Sequence, residues 1–394
     1  MPRIFLSAGE ASGEHYGAAL IPAIRRLVPE TEFFGLGGQR MEALGFERVV
    51  CAEDVAVMGI TEVVLHMPRI YGEYRRLKAS ISQNRPDLAI LIDFPDVNLS
   101  LARHLKRAGV PVLYFVSPQL WAWKKYRIRE VQRYIDRMLV IFPFEETFYS
   151  RHKVDATFVG HPLADLPLPA ITREAFAREN HLDPSKQWIG LLPGSRAKEV
   201  RLNLPEMVKT AQALPRSNVY EFLLPLVPTL TDAQRTEIQA MVQGVNPKIT
   251  ITHDARASLH HARASVVASG TATVEAALIG NPFLVVYRVS PITYFVAQRV
   301  VDVPHVAMVN LIANRRAIPE LIQSDFTAEN LVSHLQPLLY DETARSEMQT
   351  SLRQISDMLK AKGSPGEGAI DRVAGIASQM LHQPELRQEL HLST

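Results

Sequence analysis

The sequence of 394 residues contains one cysteine, Cys51, so a disulfide within the chain is excluded and a reducing compartment such as the cytoplasm fits. No apolar stretch approaches the ~18 residues that a membrane-spanning helix needs. Runs of lysine and arginine interleaved with aromatic side chains are also missing, and a net charge of +2 gives no indication of nucleic-acid binding. We therefore expect a globular protein that is soluble or peripheral to a membrane.

Two motifs that bind cofactors are absent as well. The turn Gly9–Gly17, which follows the first apolar run, lacks the G-x-G-x-x-G pattern, so the sequence does not support a nicotinamide or flavin cofactor. No two aspartates are separated by a single residue, so the Asp-x-Asp arrangement that holds a divalent cation on a nucleotide diphosphate is missing. We expect chemistry with no cofactor and no metal ion.

Short apolar runs alternate with helical stretches along most of the chain. This alternation predicts an α/β fold of two tandem Rossmann-like doubly wound domains, in which helices cover both faces of each parallel sheet. The first run is too short for a signal peptide, and a proline-rich stretch at 162–169 separates the two sets. The expected strands are 4–7, 33–36, 88–92, 112–116, 138–141 and 156–159, then 189–192, 221–224, 249–252, 265–268 and 283–287.

The predicted domains are residues 1–165 and 166–345, followed by a helical C-terminal segment at 346–383 and a flexible tail at 384–394. The helical period of the C-terminal segment indicates helices that pack back across the domains. The polar tail is expected to be frayed.

The apolar run Trp188–Leu192 stops at Pro193-Gly194-Ser195-Arg196 and gives way to a helical period. Glycine lets the backbone approach a ligand, the first amides of a helix lack intrahelical partners, and the helix dipole favours negative charge there. Arg196 adds a planar fork of donors that can hold a phosphate at two points. The turn is a candidate anion site, and the alternative is an ordinary turn with Arg196 in solvent.

A carboxylate follows the buried-strand pattern at Leu88–Ile92. Burial of Asp93 at the end of such a strand would be costly and would raise its pKa toward the range of a general base. We therefore interpret Asp93 as the candidate base. The alternative is that Asp93 caps the next helix, and capping is the preferred interpretation for Asp96.

The stretch Ser269–Ala277 is typical of a strand that ends and a helix that begins. Ser269 or Thr271 can cap this helix, and Glu275 lies about one turn into it, where an acid in an open α/β sheet can accept hydrogen bonds from two ribose hydroxyls. The alternative is that Glu275 only complements the helix dipole. The candidate nucleotide contacts here are Ser269, Gly270, Thr271, Ala272, Thr273 and Glu275.

Two turns in the first half are further candidates for substrate contacts. The turn Gly9–Gly17 spaces its glycines four residues apart, which suits close packing of a backbone or a ligand, with Ser12 and Glu14 as candidate contacts. The stretch Ser117–Lys125 combines two tryptophans with two lysines and suits a sugar or an amphipathic ligand, with Trp121 as the candidate contact. The alternative for both turns is structural packing.

Apolar residues recur at intervals of three and four between Val57 and Tyr74, in a stripe that is broken at Pro68. Such an amphipathic segment, with arginines nearby, suits a membrane interface or an acyl-chain site. A helix that faces the core is the alternative. The candidate lipid-facing residues are Met58, Ile60, Val63, Val64, Met67, Ile70 and Tyr71.

The motifs occur in the order Gly9–Gly17, Asp93–Asp96, Ser117–Trp123, Pro193–Arg196, Ser269–Glu275 and Val309–Ala313. In this combination the sequence resembles the lipid-A-disaccharide synthase family, from the first strand to residue 381. The resemblance implies a GT-B glycosyltransferase that joins UDP-2,3-diacylglucosamine to 2,3-diacylglucosamine 1-phosphate, giving a β-1,6 disaccharide and UDP. The N-terminal domain would then take the acceptor and the C-terminal domain the UDP-sugar.

The resemblance also implies roles for individual residues. Asp93 would be the catalytic base, Arg196 and Asn310 would be needed for donor binding or catalysis, and Glu275 would lie in the nucleotide-sugar motif. It further implies a peripheral enzyme on the cytoplasmic face of the inner membrane, with residues 57–74 meeting the lipid. A homodimer that exchanges its C-terminal part is implied as well.

Two other functions remain as alternatives at this point. A UDP-N-acetylglucosamine 2-epimerase shares the tandem architecture and needs no metal, but it has no need of an acyl site. A non-catalytic protein that binds nucleotide sugars or lipids is the second alternative. Asp93 argues against it, because a binding protein gains nothing from a desolvated carboxylate.

Overall fold

The computed structural model describes residues 1–52, 60–228, 230–301, 303–361 and 366–382. The chain forms two compact units. The first unit consists of Met1–Asp165 together with the C-terminal stretch from Leu359, and the second consists of Leu166–Met358.

The first unit is built on seven parallel strands. They are β1 (Arg3–Ala8), β2 (Glu32–Gly37), β3 (Phe46–Cys51), β4 (Leu88–Ile92), β5 (Val112–Phe115), β6 (Arg137–Val140) and β7 (Ala156–Phe158). Their order in the sheet is β3-β2-β1-β4-β5-β6-β7, so the direction of winding reverses between β1 and β4. Ligands of open α/β sheets bind at the carboxyl ends of strands near such a reversal.

Helices connect these strands as expected for parallel pairing. They are α1 (Ala11–Leu27), α2 (Gln39–Glu42), α3 (Ile60–Gln83), α4 (Pro95–Arg107), α5 (Ile128–Tyr134) and α6 (Pro143–Arg151), with short 3-10 helices at Lys125–Arg127 and Pro162–Asp165. On one face of the sheet, Phe5 and Tyr114 pack in the same buried cluster as Leu99 of α4. The sheet is therefore a core layer, which explains why β4 is apolar at all five positions.

The second unit repeats the architecture with six parallel strands. They are β8 (Gln187–Leu192), β9 (Tyr220–Pro225), β10 (Ile249–Thr252), β11 (Ala264–Ala268), β12 (Phe283–Tyr287) and β13 (Glu320–Ile322). Their order is β10-β9-β8-β11-β12-β13, with the reversal between β8 and β11. The prediction of two tandem Rossmann-like doubly wound domains is confirmed.

The helices of the second unit cover both faces of its sheet. They are α7 (Arg173–Glu179), α8 (Ala197–Ala213), α9 (Asp232–Val242), α10 (Ala255–His261), α11 (Thr271–Ile279), α12 (Pro291–Val300), α13 (Met308–Ala313), α14 (Ala328–Tyr340) and α15 (Glu342–Met358), with 3-10 helices at Ser217–Val219 and Gln323–Asp325. Leu204 of α8 packs in a cluster with Leu191 and Phe222 of the sheet. Trp188 packs with Phe176 of α7 in a second cluster.

The last helix, α16 (Ala369–His382), belongs to the first unit. Its Asp371 pairs with Arg26 of α1 at 2.6 Å, and the Asp165 carboxylate accepts the Ala369 N–H at 2.6 Å. The segment predicted at 346–383 is therefore divided, because α15 begins at Glu342 and stays in the second unit. Exchange of this segment with a second copy stays a prediction.

Candidate functional site

Asp93 lies directly after β4, in a backbone conformation that most residues avoid. Asp93 and Phe94 have φ values of +48° and +47°, both in the left-handed region. The Asp93 carbonyl oxygen accepts hydrogen bonds from the Tyr114 hydroxyl at 2.6 Å and from the Asn98 side-chain amide at 2.7 Å. Two buried donors therefore fix this strained turn, as is common at functional sites.

The pKa of the Asp93 carboxyl is raised to about 7, mainly by burial and then by the negative charge of Glu10, while a hydrogen bond with the Phe94 backbone acts in the opposite direction. The N-cap of α4 is Phe94, so Asp93 does not cap this helix. The cap interpretation of Asp96 is also wrong, because Asp96 lies in the first turn and pairs with Arg127 at 2.5 Å. Asp93 can therefore exchange a proton near neutral pH.

The glycine-rich turn after β1 packs against the Asp93 turn. A Cβ on Gly9 would overlap the ring of Phe94, so glycine is needed for this close approach. Ser12 is half-buried in the first turn of α1. The Glu14 carboxylate, a predicted substrate contact, accepts the Arg40 N–H at 2.9 Å at the start of α2.

A buried carboxylate, Glu145, lies near the exit of β5 and was not predicted from the sequence. It is 1% exposed and accepts hydrogen bonds from the Ser117 hydroxyl at 2.7 Å, the Trp121 indole at 3.1 Å and the Phe142 N–H at 3.1 Å. Burial raises its pKa to about 7. Val116, which directly precedes Ser117, has φ +63°, a strained value for a β-branched residue. The available signal was the position of Glu145 three residues after the N-cap Phe142, where a glutamate can accept the N–H of the N-cap residue.

The turn after β8 contains its own anion. Gly194 has φ +122°, and the Glu199 carboxylate accepts the backbone N–H groups of Ser195 at 3.0 Å and Arg196 at 3.3 Å. The Arg196 guanidinium lies 3.7 Å from the other Glu199 oxygen and is 54% exposed. This carboxylate stands where a phosphate oxygen would stand at a helix N-terminus. The predicted strand, turn and helix start are present, and Glu199 was missing from the prediction; binding of a ligand anion at this turn stays a prediction.

The turn after β11 has an uncapped helix. The prediction that Ser269 or Thr271 caps α11 is wrong, because the N-cap is Gly270, with φ +150°, and no side chain caps it. Thr273 donates its hydroxyl to the Gly270 carbonyl at 2.7 Å, and a Cβ on Gly270 would meet no atom within 4 Å. Thr271 is exposed and Ala272 is half-buried, so the first turn of α11 borders open space. Helix amides in such a place can bind an anion.

Glu275 lies beyond the first turn of α11, so the alternative of a first-turn dipole partner does not fit. Its side chain is 21% exposed, and burial raises its pKa, although Arg256 at 3.9 Å acts in the opposite direction. A partly exposed carboxylate with one cation 3.9 Å away can accept hydrogen bonds from hydroxyl groups of a ligand.

Asn310 is fully buried and fully hydrogen-bonded. Its amide nitrogen donates to Ile318 O at 2.8 Å and to the Glu320 carboxylate at 2.7 Å, and its oxygen accepts the N–H groups of Ala317 and Ile318 at 2.9 Å. A primary amide has no further hydrogen-bonding capacity, so Asn310 cannot bind a ligand directly in this arrangement. Any effect of Asn310 on a ligand must pass through its neighbours.

Glu320 is the neighbour that leads back to the turn after β11. Its carboxylate accepts the N–H groups of Val306 at 3.1 Å and Ala307 at 3.0 Å. The Val306 carbonyl in turn accepts the Ser269 hydroxyl at 3.3 Å. A continuous series of hydrogen bonds therefore connects Asn310 to Ser269.

The structure describes the predicted lipid-facing segment only in part. Met58 and the side chains of Ile60, Val63, Val64, Met67 and Ile70 lie outside the described residues. The apolar stripe is interrupted at Pro68, but the helix continues through that position, because α3 extends from Ile60 to Gln83. Tyr71 is 61% exposed. Within the described ranges, no helix is long and apolar enough to cross a membrane, and no three His, Cys, Asp or Glu side chains are grouped so that they could hold a metal ion.

The comparisons with known proteins identify the family. A sequence profile for the family described as lipid-A-disaccharide synthetase matches residues 4–368. The chain is 65% identical over 393 residues to the lipid-A-disaccharide synthase of Acidobacterium capsulatum, with 97% of each chain covered. The chain belongs to the lipid-A-disaccharide synthase family. It is therefore an enzyme of the glycosyltransferase class, as predicted.

Solved structures agree with this family at the level of the fold. A calicheamicin glycosyltransferase superposes with a TM-score of 0.59 at 15% identity, over 97% of this chain and 99% of that one. A UDP-GlcNAc 2-epimerase from Neisseria meningitidis, bound to UDP-GlcNAc, gives 0.60 at 10% identity, over 96% and 98%. The GT-B fold of a lipid-A-disaccharide synthase is confirmed, and the epimerase alternative has only this shared fold in its favour.

Proposed function

We propose that the protein transfers 2,3-diacylglucosamine from UDP to the 6-hydroxyl of 2,3-diacylglucosamine 1-phosphate. The products are the β-1,6-linked tetraacyl disaccharide 1-phosphate and UDP. The observation that carries the proposal is the 65% identity with a lipid-A-disaccharide synthase along nearly the whole chain.

Asp93 is the proposed general base. A sugar hydroxyl is a poor nucleophile at neutral pH, so a base within hydrogen-bond reach must take its proton as the new bond forms. The partly buried position of Asp93 and its pKa of about 7 support this role. The acceptor oxygen bonds to the anomeric carbon while its proton passes to the Asp93 carboxylate.

The second unit supplies the groups that stabilise the departing UDP. The bond between the anomeric carbon and the diphosphate oxygen breaks, and its electron pair stays on the β-phosphate. The Arg196 guanidinium and the uncapped amides of Gly270–Ala272 are the proposed partners of this charge. The Thr273 N–H is already bonded to the Gly270 carbonyl at 3.0 Å. Direct displacement inverts the donor from α to β.

The remaining contacts are proposed in the same way. Glu275 accepts the ribose hydroxyls, while Asn310 acts through Glu320 on the turn that begins at Ser269. In the acceptor site, the Trp121 indole N–H is already bonded to Glu145, so this side chain offers its ring face to the sugar.

Membrane attachment and assembly belong to the same proposal. We place the enzyme on the cytoplasmic face of the inner membrane through residues 57–74, and the exposed Tyr71 and the apolar sequence of this segment support it. A homodimer that exchanges its C-terminal part is proposed from the family resemblance. Flotation with anionic vesicles and sedimentation of the purified protein test the two statements separately.

The central test is an assay of the purified protein with both acylated sugars in the presence of a chelator. We expect UDP and the tetraacyl disaccharide 1-phosphate, detected by mass spectrometry. Absence of the disaccharide, together with epimerisation of UDP-N-acetylglucosamine, would contradict the proposal in favour of the epimerase alternative.

A further inference from the structure

The second unit exposes an unusual apolar surface on and after α12. Among the described residues of this unit, ten large apolar side chains are exposed, and five of them fall within twelve consecutive positions. We call these five the α12 surface: Phe295, Val296, Val300, Val301 and Val306, between 39% and 57% exposed. Clustered apolar exposure of this kind marks a binding surface more often than scattered exposure does.

The α12 surface is connected to the side of the second sheet where the strands have their carboxyl ends, which also carries the turns after β8 and β11. The chain leaves the sheet at the carboxyl end of β12, and α12 begins after Ser290, whose hydroxyl accepts the Thr293 N–H at 3.3 Å. It returns at Val306, whose carbonyl accepts the Ser269 hydroxyl at 3.3 Å. The excursion therefore ends next to the uncapped start of α11, the proposed diphosphate site.

The composition of α12 favours an uncharged, apolar occupant. Val296 and Val300 are four residues apart and so share one side of a helix about 15 Å long. Arg299 is the one charged residue in α12, and its guanidinium lies 3.4 Å from the centre of the Phe295 ring. Helices that lie on anionic bilayers carry several lysines or arginines on their polar face, and α12 does not.

We propose that the α12 surface binds the acyl chains of the donor, whose diphosphate is held at the start of α11. This inference rests on the proposed function, in which the sugar attached to that diphosphate carries two acyl chains. Val306, the last residue of the α12 surface, is hydrogen-bonded to Ser269 beside the proposed diphosphate site, so acyl chains on a sugar bound there would be close to this surface, which would exclude water from them.

The test uses the full chain and a double variant, Val296→Ser with Val300→Ser. The matched control is Leu168→Ser with Val219→Ser, which removes two exposed apolar side chains of the same unit, 53% and 41% exposed, away from α12. Calorimetry measures affinity for UDP, for UDP-glucosamine and for UDP-2,3-diacylglucosamine in detergent. We expect about tenfold weaker binding of the acylated donor by the α12 variant, equivalent to about 1.4 kcal/mol, with the two other ligands within twofold of wild type.

Two affinity results would overturn the inference: an unchanged affinity of the α12 variant for the acylated donor, or an equal loss of affinity in the control variant. Reduced flotation with vesicles at unchanged donor affinity would overturn it as well, because the surface would then be a bilayer contact. A change of oligomeric state at unchanged donor affinity would make it a contact between copies. Failure of the proposed function is distinguishable, because the wild type would then form no disaccharide and would not prefer the acylated donor to UDP-glucosamine.

Discussion

Two carboxylates at strand exits, Asp93 in the first unit and Glu199 in the second, are treated in opposite ways by their surroundings. Asp93 follows β4 in a strained turn. Its carboxyl group has a hydrogen bond with the Phe94 backbone, and its pKa is raised to about 7, mainly by burial. Glu199 lies in the first turn of α8, where it accepts two backbone N–H groups and approaches Arg196. The difference shows that a position after the carboxyl end of a strand does not decide whether a carboxylate can exchange protons. The hydrogen-bond partners and the burial of the carboxylate decide it.

The largest expected effect comes from Asp93→Asn. Removal of the base should lower turnover about 10³-fold while UDP affinity stays within twofold, because the base contacts the acceptor and not the nucleotide. The control is Asp96→Asn in the following helix turn, which weakens ion pairs with Arg127 and Lys124 and should keep most of its activity. Near-normal turnover of Asp93→Asn would refute the assignment of the base.

Arg196→Gln tests the second unit of the comparison. Loss of a preorganised donor to the leaving group should lower turnover about hundredfold, or about 3 kcal/mol in the activation free energy. Arg201→Gln is the control, since Arg201 lies in α8, the helix whose N-cap is Arg196, but pairs with Glu237 on the surface. Equal kinetic losses in both variants would mean that Arg196 acts only through the stability of α8.

The pH dependence of kcat/KM distinguishes the two carboxylates. The base must be ionised to take a proton, so activity is retained above the pKa of Asp93, about 7, and is lost as the pH falls below it. Between pH 8 and pH 6 we expect about a tenfold decrease. A profile that is flat over this interval would show that Asp93 does not limit the reaction.

Glu320→Gln tests the series of hydrogen bonds that ends at Ser269. The variant places an NH₂ group against a backbone N–H of Val306 or Ala307, so the turn after β11 should shift. We expect KM for the donor to rise about fivefold with kcat within twofold. Glu347→Gln, on the exposed side of α15, is the control. A decrease in kcat alone would contradict a positioning role.

Glu199→Gln should have the smallest effect and sharpens the comparison most. If the carboxylate only occupies the amides of Ser195 and Arg196, its neutral analogue removes repulsion and UDP should bind roughly two- to fivefold more tightly. Titration calorimetry with UDP measures this change. Weaker binding would show that the charge supports the turn for the ligand.

The central strands could be predicted because buried parallel strands are continuous apolar runs. The two strands missed were β3 and β13, both at sheet edges. β3 carries Glu47 and Arg48 and is fully buried at only two of its six positions, and β13 has three residues, so neither has the length or composition of a core strand.

Candidate site residues could be predicted where a charged side chain comes soon after an apolar strand run, as with Asp93, Arg196 and Glu275. It was not predictable where long-range partners decide. Glu145 accepts hydrogen bonds from Ser117 and Trp121 in the turn after β5, and the side-chain amide of Asn310 is fully bonded to groups between Ala317 and Glu320. Sequence spacing does not reveal which hydrogen bonds a side chain has already made.

The placement of α16 has a consequence for how the molecule is assembled during translation. The second unit is a contiguous stretch of chain, whereas the first unit needs a helix that is synthesised after the entire second unit. Domains fold as units as they emerge from the ribosome. The half of the protein that is begun first is therefore the last to be completed.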